Sequence, residues 1–156
     1  MATEPRQILA RLLHTQRIAA LGTLRDGSPF VSMVLFAPSP DFSSLFIHIS
    51  RLAQHTRDIL QDNRVSIMLA ETDSGAGDPQ QLARVSIQGT AVEIPVTDSD
   101  YMECKAIYLA KYLHAAFNFQ LGDFSLYRIR VSSARLVAGF GKIFDLTVED
   151  FRKAAG

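Results

Sequence analysis

Residues 45–60, LFIHISRLAQHTRDIL, pass from strand to helix within a few positions, and the reading of the fold turns on that junction. Leu45 to Ile49 alternate like a strand, whereas Leu52, Thr56, Ile59 and Leu60 recur at spacings that share one helical face. Ser50 is the expected N-cap. Ala53 stands where a capping box needs Glu or Gln, and the first acid downstream is Asp58, so this helix start stays positive. Free N–H groups and the macrodipole favour an anion there, and Arg51, His55 and Arg57 add charge-assisted donors. Two readings remain open on these residues alone: a phosphate seat, or an ordinary capped surface helix.

The rest of the chain reads as strands around that junction. IAALGTL and SPFVSMVLFA flank Arg25-Asp26-Gly27, a hairpin signal. Pro38-Ser39-Pro40-Asp41 breaks the chain before the strand at 45–49, and the helix ends near Asp62. A fourth strand, RVSIMLAE from Arg64, precedes the polar loop TDSGAGDPQQ. A fifth, ARVSIQGTAVEI, has Arg84, Ser86 and Gln88 on one face and a candidate bulge at Gly89. Thr97 and Asp100 fit a capping box for a helix running toward Phe117, a sixth strand, FSLYRIRV, follows Gly122-Asp123, and Thr147 and Asp150 fit a second box before a final short helix. Tyr101, Tyr108 and Tyr112 form an aromatic stripe expected to serve packing. The second strand is apolar on both faces, Phe30, Val34 and Phe36 opposing Val31, Met33 and Leu35. The expected fold is therefore mainly β with flanking helices, a six-stranded antiparallel barrel whose outer face is covered by helices or by a second copy of the chain.

Composition narrows the function classes. A chain of 156 residues suits a single domain, 1–156. Sixteen basic and sixteen acidic residues give zero formal charge, which argues against non-specific nucleic-acid binding or a polybasic membrane contact. The lone Cys104 makes no internal disulfide and suits a reducing, cytoplasmic setting. The N-terminal MATEPRQILARLLHTQR reads as an amphipathic helix in place of a leader, and no apolar run has the length of a membrane span. His14, His48, His55 and His114 lack the paired spacing of a zinc site, so no metal centre is expected.

Taken in order, PFVSMVLFA, LFIHISRLAQHTRDILQDNRVSIMLAE, ARVSIQGTA and LVAGFGKIFDL resemble the FMN-binding split barrels related to pyridoxamine 5′-phosphate oxidase, and more narrowly their haem-utilisation branch, over residues 17–146. The resemblance implies a homodimer with FMN at the subunit interface. It places Ser50, Arg51, His55 and Arg57 around the flavin phosphate and the backbone of Ser32, Met33 and Val34 beside the isoalloxazine ring. Arg84 falls where the oxidase has a flavin-contacting glutamine, and Lys142 near a position from which the partner supplies a basic group. Ser32 replaces an arginine usual in the oxidase, and the residues that grip pyridoxal phosphate have no counterpart in LVAGFGKIF, so that activity is not assigned. Some members of the haem branch bind haem and open its ring with an axial tail histidine and an orienting aspartate. Asp123 matches the aspartate, but no histidine follows His114, so an iron ligand is expected to come from elsewhere. The leading expectation is a small FMN-dependent oxidoreductase acting on an unassigned small molecule. The alternatives are haem binding or degradation, and a non-catalytic flavin store or sensor.

Overall fold

The computed structural model describes residues 3–156. Its first helix, α1 (Thr3–Thr15), leads into the hairpin β1 (Ala19–Arg25) and β2 (Ser28–Val34), whose turn places both Asp26 (φ 50°) and Gly27 (φ 81°) in the left-handed region. That conformation matches the right-handed twist of the flanking strands, the reason Asp-Gly marks such hairpins. The short β3 (Ala37–Pro38), then β4 (Ser44–Ser50), α2 (Gln54–Gln61), β5 (Arg64–Ala70) and β6 (Arg84–Ile94) follow. Next come α3 (Tyr101–Lys111), a tight helical segment at Leu113–Gln120, the long β7 (Phe124–Val137), β8 (Ile143–Thr147) and α4 (Val148–Ala155).

All pairings are antiparallel in the order β2-β1-β5-β6-β7-β4-β3, with β8 on β7. The split-barrel expectation holds, with eight strands in place of six. β8 escapes a sequence reading because only Leu146 of its five residues is buried, so apolar alternation is missing. Leu21, Leu45, Ile47, Ile67, Ile87 and Ile129 fill the interior, together with Leu9, Leu12 and Leu13 of α1 and Phe151 of α4. A second cluster on the outer face of β4 and β7 joins Phe46 and Leu126 to Cys104, Tyr108 and Tyr112 beneath α3. The Tyr112 hydroxyl accepts the Phe36 N–H at 3.2 Å and lies 2.6 Å from the Phe36 carbonyl, which makes the tyrosine stripe a core element.

The register shifts between Gln88 and Gly89, so the expected bulge is present. A Cβ at Gly89 would run into the Arg130 carbonyl, a backbone atom that cannot swing away. Gly89→Ala is therefore expected to cost about 2–3 kcal/mol, measured by urea unfolding at unchanged m-value.

Two helix starts differ from expectation. Asp100 caps α3 in a helical conformation with no side-chain bond, the turn before it being held by Asp98, whose carboxylate accepts the Asp100 N–H at 2.8 Å. At the other, α2 begins at Gln54 with Ala53 as a cap that offers no side-chain bond. Ser50 belongs to a preceding turn, its hydroxyl accepting the Leu52 N–H at 3.1 Å while Thr56 Oγ1 donates to its carbonyl. Leu52 and Leu60, assigned by spacing to the buried face, are 71% and 68% exposed, while Thr56 and Ile59 are buried. The box at Thr147 and Asp150 is complete.

Candidate functional site

α2 packs on the β1–β2 hairpin, of which β2 is the terminal strand of the sheet. Two polar contacts hold it there. His55 Nδ1 lies 3.0 Å from Ser32 Oγ on β2. Asp58, with 1% of its side chain exposed, accepts from Thr23 Oγ1 at 2.8 Å and Gln54 Nε2 at 2.9 Å, and faces Arg25 Nε at 3.6 Å. Burial alone would raise the Asp58 pKa, but the hydrogen bonds from Gln54 and Thr23 and the Arg25 charge outweigh it and hold the carboxyl below its usual range. Arg25 in turn covers the Phe30 ring at 4.1 Å.

At the β4-to-α2 corner the backbone N–H of Arg51 donates to the Asp123 carbonyl at 2.6 Å, and Ser50 Oγ donates to Asp123 Oδ2 at 3.1 Å. The expected acid-free pole is thus corrected: a carboxylate is delivered there from the start of β7, through the pairing of Ser50 with Phe124. Arg51 Nε donates to Ser125 Oγ at 3.1 Å, and Arg57 Nη2 donates to the Leu52 carbonyl at 3.2 Å. Neither guanidinium meets a carboxylate among the described residues. Both are anchored by neutral acceptors, so their charge remains available to an anion.

On the other side of β2, an apolar groove of about 570 Å³ runs over the outer face of β2, β1 and β5. Ala20 pairs with Met33 on one side and Met68 on the other, so both thioethers flank a small residue on one face. Val31, Met33 and Ile18 are 65%, 66% and 55% exposed. Val34, named with Ser32 and Met33 as a backbone contact, is buried.

The remaining expected residues lie elsewhere. Arg84 pairs with Ala70 and with Val137, at the opposite end of β7 from the Ser50 corner, and its guanidinium donates to the Gln80 and Leu82 carbonyls at 3.2 and 3.0 Å. Beside it a small cavity is lined by Gly139, Phe140 and Gly141. Lys142, in the same loop, meets Glu4 at 3.8 Å. Within one chain the corner residues gather around α2 without Arg84 and Lys142. His48 stacks on Phe119 with centroids 3.7 Å apart, and burial, with Lys105 nearby, depresses its pKa to about 4. His55 is lowered as well, by burial, with Asp58 opposing.

Ser125, Asp58 and Thr23 were not legible as site residues. Ser125 is 74 residues from Arg51, and no local pattern marks the pair. No helix among the described residues is long and apolar enough to cross a membrane, and no group of three or more His, Cys, Asp or Glu side chains gathers as a metal site among them.

A family model described as pyridoxamine 5′-phosphate oxidase matches residues 6–138. The non-canonical haem oxygenase HOZ of Arabidopsis thaliana chloroplasts is 35% identical over 121 residues, 76% of this chain and 35% of that protein. Haem oxygenase HutZ of Vibrio cholerae is 28% identical over 128 residues, 80% of this chain and 70% of that one. The chain thus spans about a third of the Arabidopsis protein. A haem-binding protein from Mycobacterium smegmatis superposes with a TM-score of 0.87 at 23% identity, covering 98% of this chain and 62% of that chain, which speaks to the fold.

These relatives correct the expectation of FMN, since both sequence relatives given above are named for haem. Fold, motif order and matched span agree, and the chain belongs to the pyridoxamine 5′-phosphate oxidase family, in its haem-utilisation branch.

Proposed function

We propose that this chain binds haem and takes part in opening its ring. The observation that carries the reading is that α2, seated on β2 through His55 and Ser32, bears Arg57 and follows Arg51, two guanidiniums with no carboxylate partner among the described residues, while the outer side of β2 lines an apolar groove. A flat apolar ring bearing carboxylates is complementary to that pair of features. In this reading Arg51, held by Ser125, and Arg57 would receive the carboxylates, and Asp123 would hold Ser50 and the Arg51 backbone in place at that corner. His55 holds β2 against α2 through Ser32. Bound haem supplies the redox chemistry, and the protein supplies orientation and exclusion of water.

A homodimer belongs to the same proposal. Ile18, Val31, Met33 and Met68 form an exposed apolar face larger than scattered surface residues account for, and a second copy would cover it. Arg84 and Lys142, remote from the corner within one chain, would then be offered to the ligand of the other.

The test is a haemin titration followed by absorbance. Arg51→Ala removes a charge-assisted contact worth about 2 kcal/mol and is expected to weaken haemin binding roughly thirtyfold. Haemin dimethyl ester, which has no free carboxylate, is expected to bind both proteins alike. Equal losses for haemin and its ester would remove Arg51 from the assignment.

A further inference from the structure

We propose that a second cleft, between α3 and α4 over β4 and β7, binds a small zwitterion, a carboxylate and an ammonium joined by a short aliphatic chain. It shares no residue with the corner, with the apolar groove or with the face assigned to a second copy, and it stands independently of the haem reading. The cleft has a volume of about 540 Å³. Its floor is made by two successive cross-strand pairs, Ser44 with Arg130 and Phe46 with Arg128. Residues two apart on a strand share a face, so all four point out of the barrel together. Glu103, Cys104 and Ile107 of α3, Arg152 of α4 and the loop carrying Asp41 line the sides.

Most of the charge in this cleft is committed. Arg128 Nη2 lies 3.8 Å from Asp100 Oδ2 and 3.5 Å from Cys104 Sγ. Arg152 stands 3.9 Å from Asp41 and 3.4 Å from Glu149. Asp41 Oδ1 accepts from Ser39 Oγ, Ser43 N–H and Ser43 Oγ at 2.9, 3.0 and 2.7 Å, which pins the loop in place. Two opposite charges have no ionic partner among the described residues, Arg130 and Glu103. Ser44 is the third uncommitted group. Only 7% exposed, it lines the cleft beside Arg130, and its hydroxyl has no hydrogen-bond partner among the described residues, although its N–H is held by Ser39 Oγ at 3.1 Å. A polar group so buried ordinarily has a partner.

The free guanidinium and the free hydroxyl together form a seat for a carboxylate. Glu103 is a seat for an ammonium. Arg128, two residues from Arg130 and so about 7 Å along β7, touches Cys104, the neighbour of Glu103, which sets the two free charges roughly 7–10 Å apart. Phe46, Ile107 and Val131 lie in the same cleft, and methylene groups meet them without leaving a polar atom unpaired. A plain anion would be repelled by Glu103 and a plain cation by Arg130, so the cleft selects a ligand that carries both signs.

The experiment is calorimetric titration of the full chain with 6-aminohexanoate, hexanoate and hexylamine. 6-Aminohexanoate is expected to bind saturably with a dissociation constant of about 1 mM, and each singly charged compound about tenfold more weakly. Arg130→Gln and Glu103→Gln, both at exposed positions, are each expected to weaken 6-aminohexanoate about tenfold, and Ser44→Ala about threefold. Glu103→Gln is also expected to bind 6-aminohexanoate and hexanoate alike, a loss of discrimination that damage to the fold would not produce. Haemin titration of Arg130→Gln is expected to match wild type. No saturable binding of 6-aminohexanoate up to about 20 mM, or equal binding of hexanoate by wild type, overturns the proposal. So does binding that is kept in Arg130→Gln and lost in Arg51→Ala, which would put the carboxylate at the α2 corner.

Discussion

Asp58→Ala is expected to lower the free energy of unfolding by about 3 kcal/mol. The carboxylate is buried, and its removal strands Thr23 Oγ1, itself only 3% exposed, and releases Gln54 from the first turn of α2. It also leaves Arg25 over Phe30 without its counter-charge. Asp58→Asn keeps a hydrogen-bonding group of the same shape and is expected to cost less. The pH dependence has a definite sign. Because the folded-state pKa is depressed, Asp58 contributes stability above the unfolded value of about 3.9, and that contribution fades as pH falls below it. Denaturant unfolding of wild type and Asp58→Asn between pH 7 and pH 3 checks this: the gap between the two is expected to narrow at the acid end. A gap that widens there would mean that the carboxyl is not held in its ionised form.

Val31→Asp is expected to separate the proposed dimer. Val31 is 65% exposed on the outer face beside Met33, opposite Gly22 of β1, and a two-fold axis would bring both copies of the new carboxylate into one apolar contact. Two unpaired charges in such an interface cost about 4 kcal/mol, roughly a thousandfold in the dissociation constant. Light scattering at micromolar protein is expected to give twice the chain mass for wild type and 17.2 kDa for the variant. The unfolding midpoint of the isolated variant is expected to stay near wild type at low concentration, since Val31 touches no core cluster. A wild type that is itself 17.2 kDa would remove the second copy from the account.

What the sequence disclosed and what it withheld divide along the range of the interactions. The hairpin at Asp26-Gly27, the bulge at Gly89 and the box at Thr147 and Asp150 are each decided within a few residues, and each was legible. Ser50 was misread because a serine before an apolar helix looks like a cap from local sequence, whereas its hydroxyl is claimed by Leu52 N–H and by Asp123, 73 residues away. The same long-range pairing of β4 with β7 brought a carboxylate to a helix start that looks acid-free in local sequence. Leu52 and Leu60 fit a helical face by spacing, but α2 is short and buries only its Thr56, Asp58 and Ile59 side. Arg51 and Arg57 stood out because charge next to a strand-to-helix junction is visible in sequence, whereas Ser125, which accepts from Arg51, did not, because nothing near it distinguishes it from other strand serines. The ligand itself was misjudged for a related reason: the split-barrel motifs are common to flavin and haem branches, so they carry the fold further than the chemistry.

The most direct test of the central claim is an equilibrium titration of the purified chain with haemin, with FMN titrated separately under the same conditions. The account predicts a saturable haemin complex with one ligand per chain, a shifted Soret band and no saturable FMN binding. Saturable FMN binding together with haemin spectra indistinguishable from free haemin in buffer would contradict it.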